Sequence, residues 1–296
     1  MIVVTYKAGR LANRLFHFSN FIVSSRAHDY KLIYPFFDKY AQYFSYFSDR
    51  KINDENIYLT FTRVKLFDRL IKVFVKYFFN YKFFIGRHNF NLLFFKQVSN
   101  YKPDLNNIEF DLNNPLIVNN HQPLLGLNGW LFRDRKNQAK YFDYLKEIFT
   151  PRAEYLAKVD NLITAGREKG DIIIGVHMRR GDYSGWCEGK YYLDDQIYLA
   201  QMKAVQNNFL ATGQKCVFMI CSNEPINQEI FSEMEFVIGD GHELVDLYSL
   251  SGADYLIGPP STFTMWASFY GAVPLLFIDK NKTDIALSEF RVITDL

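Results

Sequence analysis

Short apolar runs alternate with longer stretches of helical period through the second half of the chain. The runs are "DIIIGVHM" (171–178), "CVFMICS" (216–222), "EFVIG" (235–239), "DYLIG" (254–258) and "VPLLFI" (273–278). Helical spacing fills the gaps, in 192–210, "PINQEIFSEM", "HELVDLYSLS" and "TFTMWASFYG". Strand and helix in alternation predict a parallel, doubly wound sheet, and near-continuous apolar strands predict one covered on both faces. The first half opens alike, with "IVVTY" as a strand, 10–28 as a helix and "KLIYP" as a second strand. Residues 36–62 then lack a clear period. A helix is predicted over about 64–79, a strand at "PLIVNN" (115–120) and a helix over 137–149 that Pro151 stops. The expected architecture is α/β. It consists of two domains facing a cleft, 1–150 and 151–296, with the parallel doubly wound sheet in the second.

The 296 residues are 49% hydrophobic and 18% aromatic, which supplies a sizeable core and excludes disorder. A net charge of +2 gives no bulk attraction for nucleic acid. Three cysteines form no CxxC and leave one over in any pairing; Cys216 and Cys221 lie in an apolar run and are expected as core thiols of a reducing compartment. No basic region precedes the first apolar run, and no window reaches about 18 uncharged apolar residues. A cytoplasmic protein is expected. One segment departs from the balance. Residues 63–96 hold eight Lys or Arg and one acid, Asp68, with aromatics interleaved. It reads either as a core helix with a basic outer face or as a surface for anionic headgroups. The second reading places the protein peripherally on the inner membrane face and suits a lipid-linked oligosaccharide acceptor.

Candidate chemistry gathers at strand ends, where open parallel sheets bind ligands. "GVHMRRGDYSG" (175–185) follows one strand. Side chains alternate along a strand, so His177 and Arg179 share one side and Met178 and Arg180 the other. Arginine's planar fork suits phosphate oxygens. The stretch reads as a diphosphate site in which one arginine pairs with Asp182, or as a surface arginine pair balanced by Asp182. "GPPSTFTMW" (258–266) follows another strand and opens a helix, with Ser261 or Thr262 at its cap. Such an end is either a phosphate seat or an ordinary capped turn. "KAGRLANRLF" (7–16) is a glycine loop that either brings Asn13 to a ligand or only closes a turn. GxGxxG, GxxxxGK[ST], DxD and HExxH are all absent, so arginines and helix ends, with no metal and no cofactor, are expected to neutralise a diphosphate.

"HMRRGDY" resembles the HxRRxDY motif of the α-1,2-fucosyltransferases, a family related to the α-1,6- and protein O-fucosyltransferases. "GRLANRLFHFSN" is similar to that family's GGLGNQxFQYA element, "NGWLFRDRKNQAKYF" to its GYFQSEKYF segment, and "DLYSLSGADYLIGPPSTFTMWASFYG" to its DLxLMSxCKHxIIANSSFSWWxAWL block. The matches keep the family's order across positions 9–271. Arg14 stands where glutamine is common, and "GPPSTFTMW" replaces "ANSSFSWW".

The resemblance implies two Rossmann-like domains of the GT-B type, with the acceptor on the first and the nucleotide sugar on the second. It implies metal-independent, inverting transfer of L-fucose from GDP-fucose to a glycan hydroxyl, in particular an α-1,2 linkage to a galactoside. By position, His177 meets the nucleoside side of the donor, and Arg179 with Arg180 meets the diphosphate. Ser261, Thr262 and Phe263 supply helix-end contacts, Asp246 the guanine edge, and Asn13 closes on the phosphates. The acceptor proton needs a carboxylate. Glu188 is the first candidate for it and Asp182 the second. Two alternatives stay open: a transferase for another nucleotide sugar, and a noncatalytic glycan- or nucleotide-binding relative.

Overall fold

Apolar, β-branched residues supply the strands and amphipathic segments cover them. The computed structural model describes residues 1–50, 56–60, 65–80, 90–92, 95–99, 109–121, 123–282 and 284–295. The chain divides into two compact units, Met1–Pro151 with Asp295–Leu296, and Arg152–Thr294.

Unit 1 contains strands β1 (Ile2–Val4), β2 (Leu32–Ile33), β3 (Ile57–Tyr58), β4 (Phe90–Leu92), β5 (Phe95–Ser99), β6 (Phe110–Asp111), β7 (Leu124–Asn128) and β8 (Phe132–Arg133). Its helices are α1 (Leu11–His28), α2 (Asp38–Ala41), α3 (Lys65–Asn80), α4 (Pro115–Val118), α5 (Arg135–Lys140) and α6 (Phe142–Ile148). Six strands form one sheet in the order β3-β2-β1-β7-β5-β4, parallel except at the β4–β5 edge. α1 is buried along most of its length. Phe18, Phe37, Phe47 and Phe149 form an aromatic core beside it, with ring centroids 5.0–6.3 Å apart.

Unit 2 contains α7 (Ala153–Arg167), β9 (Ile172–Met178), α8 (Asp195–Leu210), β10 (Cys216–Ser222), β11 (Phe236–Ile238), α9 (Glu243–Ser251), β12 (Tyr255–Gly258), α10 (Thr262–Gly271) and β13 (Leu275–Phe277). The strands form one parallel sheet in the order β11-β10-β9-β12-β13, the doubly wound pattern. Ile174, Val176 and Met178 of β9 pack with Tyr198, Met202, Val205 and Phe209 of α8 on one face. A Cβ on Gly175 would meet Leu250 of α9, which covers the other face. Both faces are covered, and so the strands are apolar throughout. Cys216 and Cys221 are buried free thiols.

Three predicted elements are corrected. "PLIVNN" forms the short helix α4. Asn114 Oδ1 accepts the Leu116 N–H at 2.9 Å, and Pro115 at the first helical position arrives with its φ already set. Residues 137–149 are two helices, because Tyr141 leaves the helical region at φ −111° and ψ 24°. "PINQEIFSEM" forms only a 3-10 turn, Gln228–Phe231, which Asn227 caps. That turn already buries Phe231 and Met234, so its apolar spacing needs no full helix.

Candidate functional site

The carboxyl ends of β9 and β12 and the start of α10 meet in a polar cluster within unit 2. Ser261 caps α10, accepting the Thr264 N–H at 3.2 Å, and its hydroxyl lies 2.7 Å from Thr264 Oγ1. Thr264 Oγ1 donates to the Pro259 carbonyl at 3.0 Å. It therefore accepts in its remaining bonds. His177 places Nδ1 3.2 Å from Thr264 Oγ1 and 3.3 Å from Ser261 Oγ. Its ring stacks on Phe263 at 4.7 Å. Burial, with Arg179 as the second cause, pulls the imidazole down to about 3, so it is neutral at ordinary pH. With Thr264 Oγ1 accepting, Nδ1 carries the ring proton inside the cluster, which leaves Nε2 of the neutral ring as an acceptor. The first-turn N–H groups of α10 look out from the same end, with the positive pole of the helix dipole.

The turn after β9 is held from α8. Tyr198, fully buried, donates its hydroxyl to the His177 carbonyl and accepts the Arg179 N–H, both at 3.2 Å. Arg180 forms an ion pair with Asp195, in the first turn of α8, and its N–H donates to Asn223 at 2.8 Å. Arg180 thus turns to the α8 face that Met178 also occupies, while Arg179 stays on the His177 side, its guanidinium 5.1 Å from the Tyr183 ring. Asp195 is thus a partner of Arg180 that the sequence did not single out. The physical reason is packing: α8's first turn lies against the strand end and brings a second-row carboxylate to it. The Asp182 side chain lies outside the described residues. Tyr183 donates to the Pro260 carbonyl at 3.1 Å and ties this turn to the loop before α10. Glu188 is exposed and has φ 57°, a left-handed backbone that glutamate rarely adopts.

Asp246 lies on the same sheet edge, toward β10 and β11. His177 pairs in register with Cys221, whose thiol lies 3.8 Å from the Asp246 carbonyl. The Asp246 carboxylate is buried, and its Oδ1 accepts the Gly241 N–H at 3.2 Å. Burial raises this carboxyl to about 6 against the pull of the Gly241 and Asp240 N–H groups. A Cβ on Gly239 would sit 2.5 Å from Asp246 Oδ1 and 2.9 Å from Cys221 Sγ, so only glycine lets the carboxylate take this place.

Asn13 belongs to unit 1, in the first turn of α1. A Cβ on Gly9 would overlap the carboxamide nitrogen of Asn13, which would have to turn aside. Arg14 is buried. Its Nε donates to the Ala8 and Gly9 carbonyls at 3.1 Å, and its Nη1 donates to the Phe36 carbonyl. It therefore organises the glycine loop. Sequence reasoning singled out His177, Arg179, Arg180, Asp246 and Ser261 but missed Tyr198, Asp195 and Thr264. Asp195 and Tyr198 sit three apart at the start of a capped helix, which was the one available signal.

No protein-family model matches the chain, and no curated protein matches it in sequence. Solved structures do match in fold. A mutant of FUT1 from Arabidopsis thaliana in complex with GDP superposes with a TM-score of 0.60 at 14% identity, covering 98% of this chain and 73% of that one. NodZ fucosyltransferase from Bradyrhizobium gives 0.53 at 13% identity, over 94% and 96%. POFUT1 in complex with GDP-fucose gives 0.51 at 14%, over 94% and 97%. The shared feature is the fold: α/β units with parallel sheets, of the GT-B glycosyltransferase type.

Proposed function

We propose that the protein is an inverting glycosyltransferase that moves L-fucose from GDP-fucose to a glycan hydroxyl, with α-1,2 transfer to a galactoside as the specific reaction. One observation carries the reading. Arg179, the neutral His177 and the dipole end of α10 converge on one sheet edge, the place where an α/β sheet receives a nucleotide. Folds similar to this one include structures solved with GDP and GDP-fucose.

In this reading the acceptor oxygen attacks the anomeric carbon, and the bond to the diphosphate breaks with its electron pair on GDP. Arg179 and the first-turn N–H groups of Ser261, Thr262 and Phe263 meet that charge, so the step calls for no metal ion. Preorganised donors act most strongly on charge that develops in the transition state. Glu188 is proposed as the carboxylate that takes the acceptor proton, with Asp182 as second candidate. His177 faces the nucleoside side through Nε2. Asp246 accepts the guanine N–H groups. Arg180, paired with Asp195, shapes the turn, and Arg179, on the side of His177, is proposed as the principal diphosphate cation. Asn13 is proposed for the donor phosphates, and Asn13→Ala in a GDP titration tests it.

Calorimetric titration with GDP and with UDP, first in EDTA and then with magnesium, tests the donor class. Micromolar GDP binding in EDTA without a UDP response is expected. A UDP response would point to another nucleotide sugar, and binding of neither to a noncatalytic relative. Arg179→Ala is expected to lower fucosyl transfer by about 100-fold or more. A variant that transfers at the wild-type rate would remove Arg179 from the diphosphate.

A further inference from the structure

α3 presents a row of apolar side chains to water. Leu66 is 66% exposed, Phe67 58%, Leu70 57%, Val73 47% and Phe74 57%. At about 100° per residue these positions fall within one arc of about 120°. Positions 65, 69, 72 and 76, all Lys or Arg, fall in an adjoining arc of about 60°. The far side is the anchored side. Asp68 is buried and receives Lys72 Nζ at 2.9 Å, and the same Nζ reaches Asp38 of α2 at 2.9 Å. Lys72 is thus spent on holding the helix to unit 1. Arg69 is exposed beside the apolar row. Over residues 63–96 eight Lys or Arg face a single acid, and that acid is the buried Asp68.

We infer that α3 is a docking surface for an anionic lipid bilayer, lying in the headgroup plane with its apolar row toward the acyl chains. The order of chemistry across the helix matches the order across a bilayer leaflet: cations at headgroup level, then aromatic and aliphatic groups beneath. A second copy of the chain is disfavoured as occupant. Two α3 helices laid face to face would bring two rows of like charge together, in which Lys72 alone is paired with an acid among the described residues. No helix among the described residues is long and apolar enough to cross a membrane, so the contact is peripheral. The inference stands apart from the donor reading, because vesicle binding is read without nucleotide.

Sedimentation of the full chain with phosphatidylglycerol-containing vesicles and with pure phosphatidylcholine vesicles tests it. Binding to the anionic vesicles alone is expected, weakening at least about tenfold as salt rises from about 0.1 M to about 0.5 M. The triple variant Phe67→Ser, Leu70→Ser, Phe74→Ser is expected to lose at least about tenfold in vesicle affinity with its melting temperature unchanged. Phe67→Leu with Phe74→Leu keeps binding, and Arg69→Glu weakens it without touching the apolar row. Equal partition to both lipids, or no partition, overturns the inference. So does a wild type that ignores vesicles and runs as a dimer which the triple serine variant converts to monomer; that result assigns the face to a second copy.

Discussion

One hydroxyl spans the turn that carries both arginines. Tyr198 bonds the backbone of His177, next to the last residue of β9, and of Arg179, just past its end. Tyr198→Phe removes a bond from the buried His177 carbonyl and one from the part-buried Arg179 N–H, at a cost of about 1–3 kcal/mol. Urea denaturation of the variant checks this, and GDP affinity should fall with stability. Wild-type stability would show that the bridge carries no weight. Asp246 supports a second residue-scale prediction. A carboxylate must be ionised to accept two guanine N–H groups, and this one is raised to about 6. Affinity for GDP-fucose, whose esterified diphosphate does not titrate there, should fall about tenfold from pH 7 to pH 5. Asp246→Asn should flatten that slope. An unchanged slope in Asp246→Asn would free the carboxylate from the nucleobase role. Gly239 and Asp246 were legible as residues, but their contact was not, because a missing Cβ gives no sign in a sequence of which atom needs the space.

The helix α10 joins two roles at one end. Ser261 caps it, and the same hydroxyl belongs to the His177 cluster. Ser261→Ala is expected to cost about 1 kcal/mol from the lost cap and to weaken GDP binding besides. Ser261→Asp retains a capping oxygen but sets a negative charge at the phosphate seat. It should recover stability and lose nucleotide, and a variant that recovers both would make the cap purely structural. Elements with a sustained period or a β-branched run were legible: α1, α8, α9, α10 and the strands of unit 2. Short apolar runs were not. "PLIV" has too few positions for strand and helix periods to differ, and its fate turned on Asn114 and Pro115. "PINQEIFSEM" has the right spacing for a helix, yet one 3-10 turn satisfied its two buried side chains.

At the scale of the molecule, each unit buries one neutral histidine among the described residues. Burial is the main cause in both. His17 is held near 3 with Arg133 as the second cause, as His177 is with Arg179. His17 lies between the Tyr34 hydroxyl at 2.7 Å and the Gly129 carbonyl at 2.9 Å. Their ordinary value of 6.5 applies in the unfolded chain. Stability from each is complete above 6.5 and is lost as pH falls from 6.5 toward 3, by about 2 kcal/mol at pH 5. Asp246 works in the opposite sense. Its native carboxyl lies above its unfolded value of 3.8, so acidification through 6 relieves about 1.4 kcal/mol by pH 5. Unit 1 should therefore lose about 2 kcal/mol between pH 7 and pH 5, and unit 2 well under 1 kcal/mol. Urea unfolding followed by hydrogen exchange in each unit reads the difference. Equal losses in the two units would contradict the opposing action of Asp246.

The sequence by itself determined the alternation of strand and helix, the doubly wound sheet of unit 2, and the position of His177, Arg179, Arg180 and Ser261 at element ends. Those features are local: burial period, β-branched runs and capping residues act within a few positions of the chain. Tertiary structure decided the partnerships. Asp195 took Arg180, Tyr198 took the turn, Thr264 took His177, and Arg14 took the glycine loop and Phe36. Each partner is fixed by which helix packs beside which strand end, and that is set by burial of whole faces, to which the polar atoms themselves contribute little.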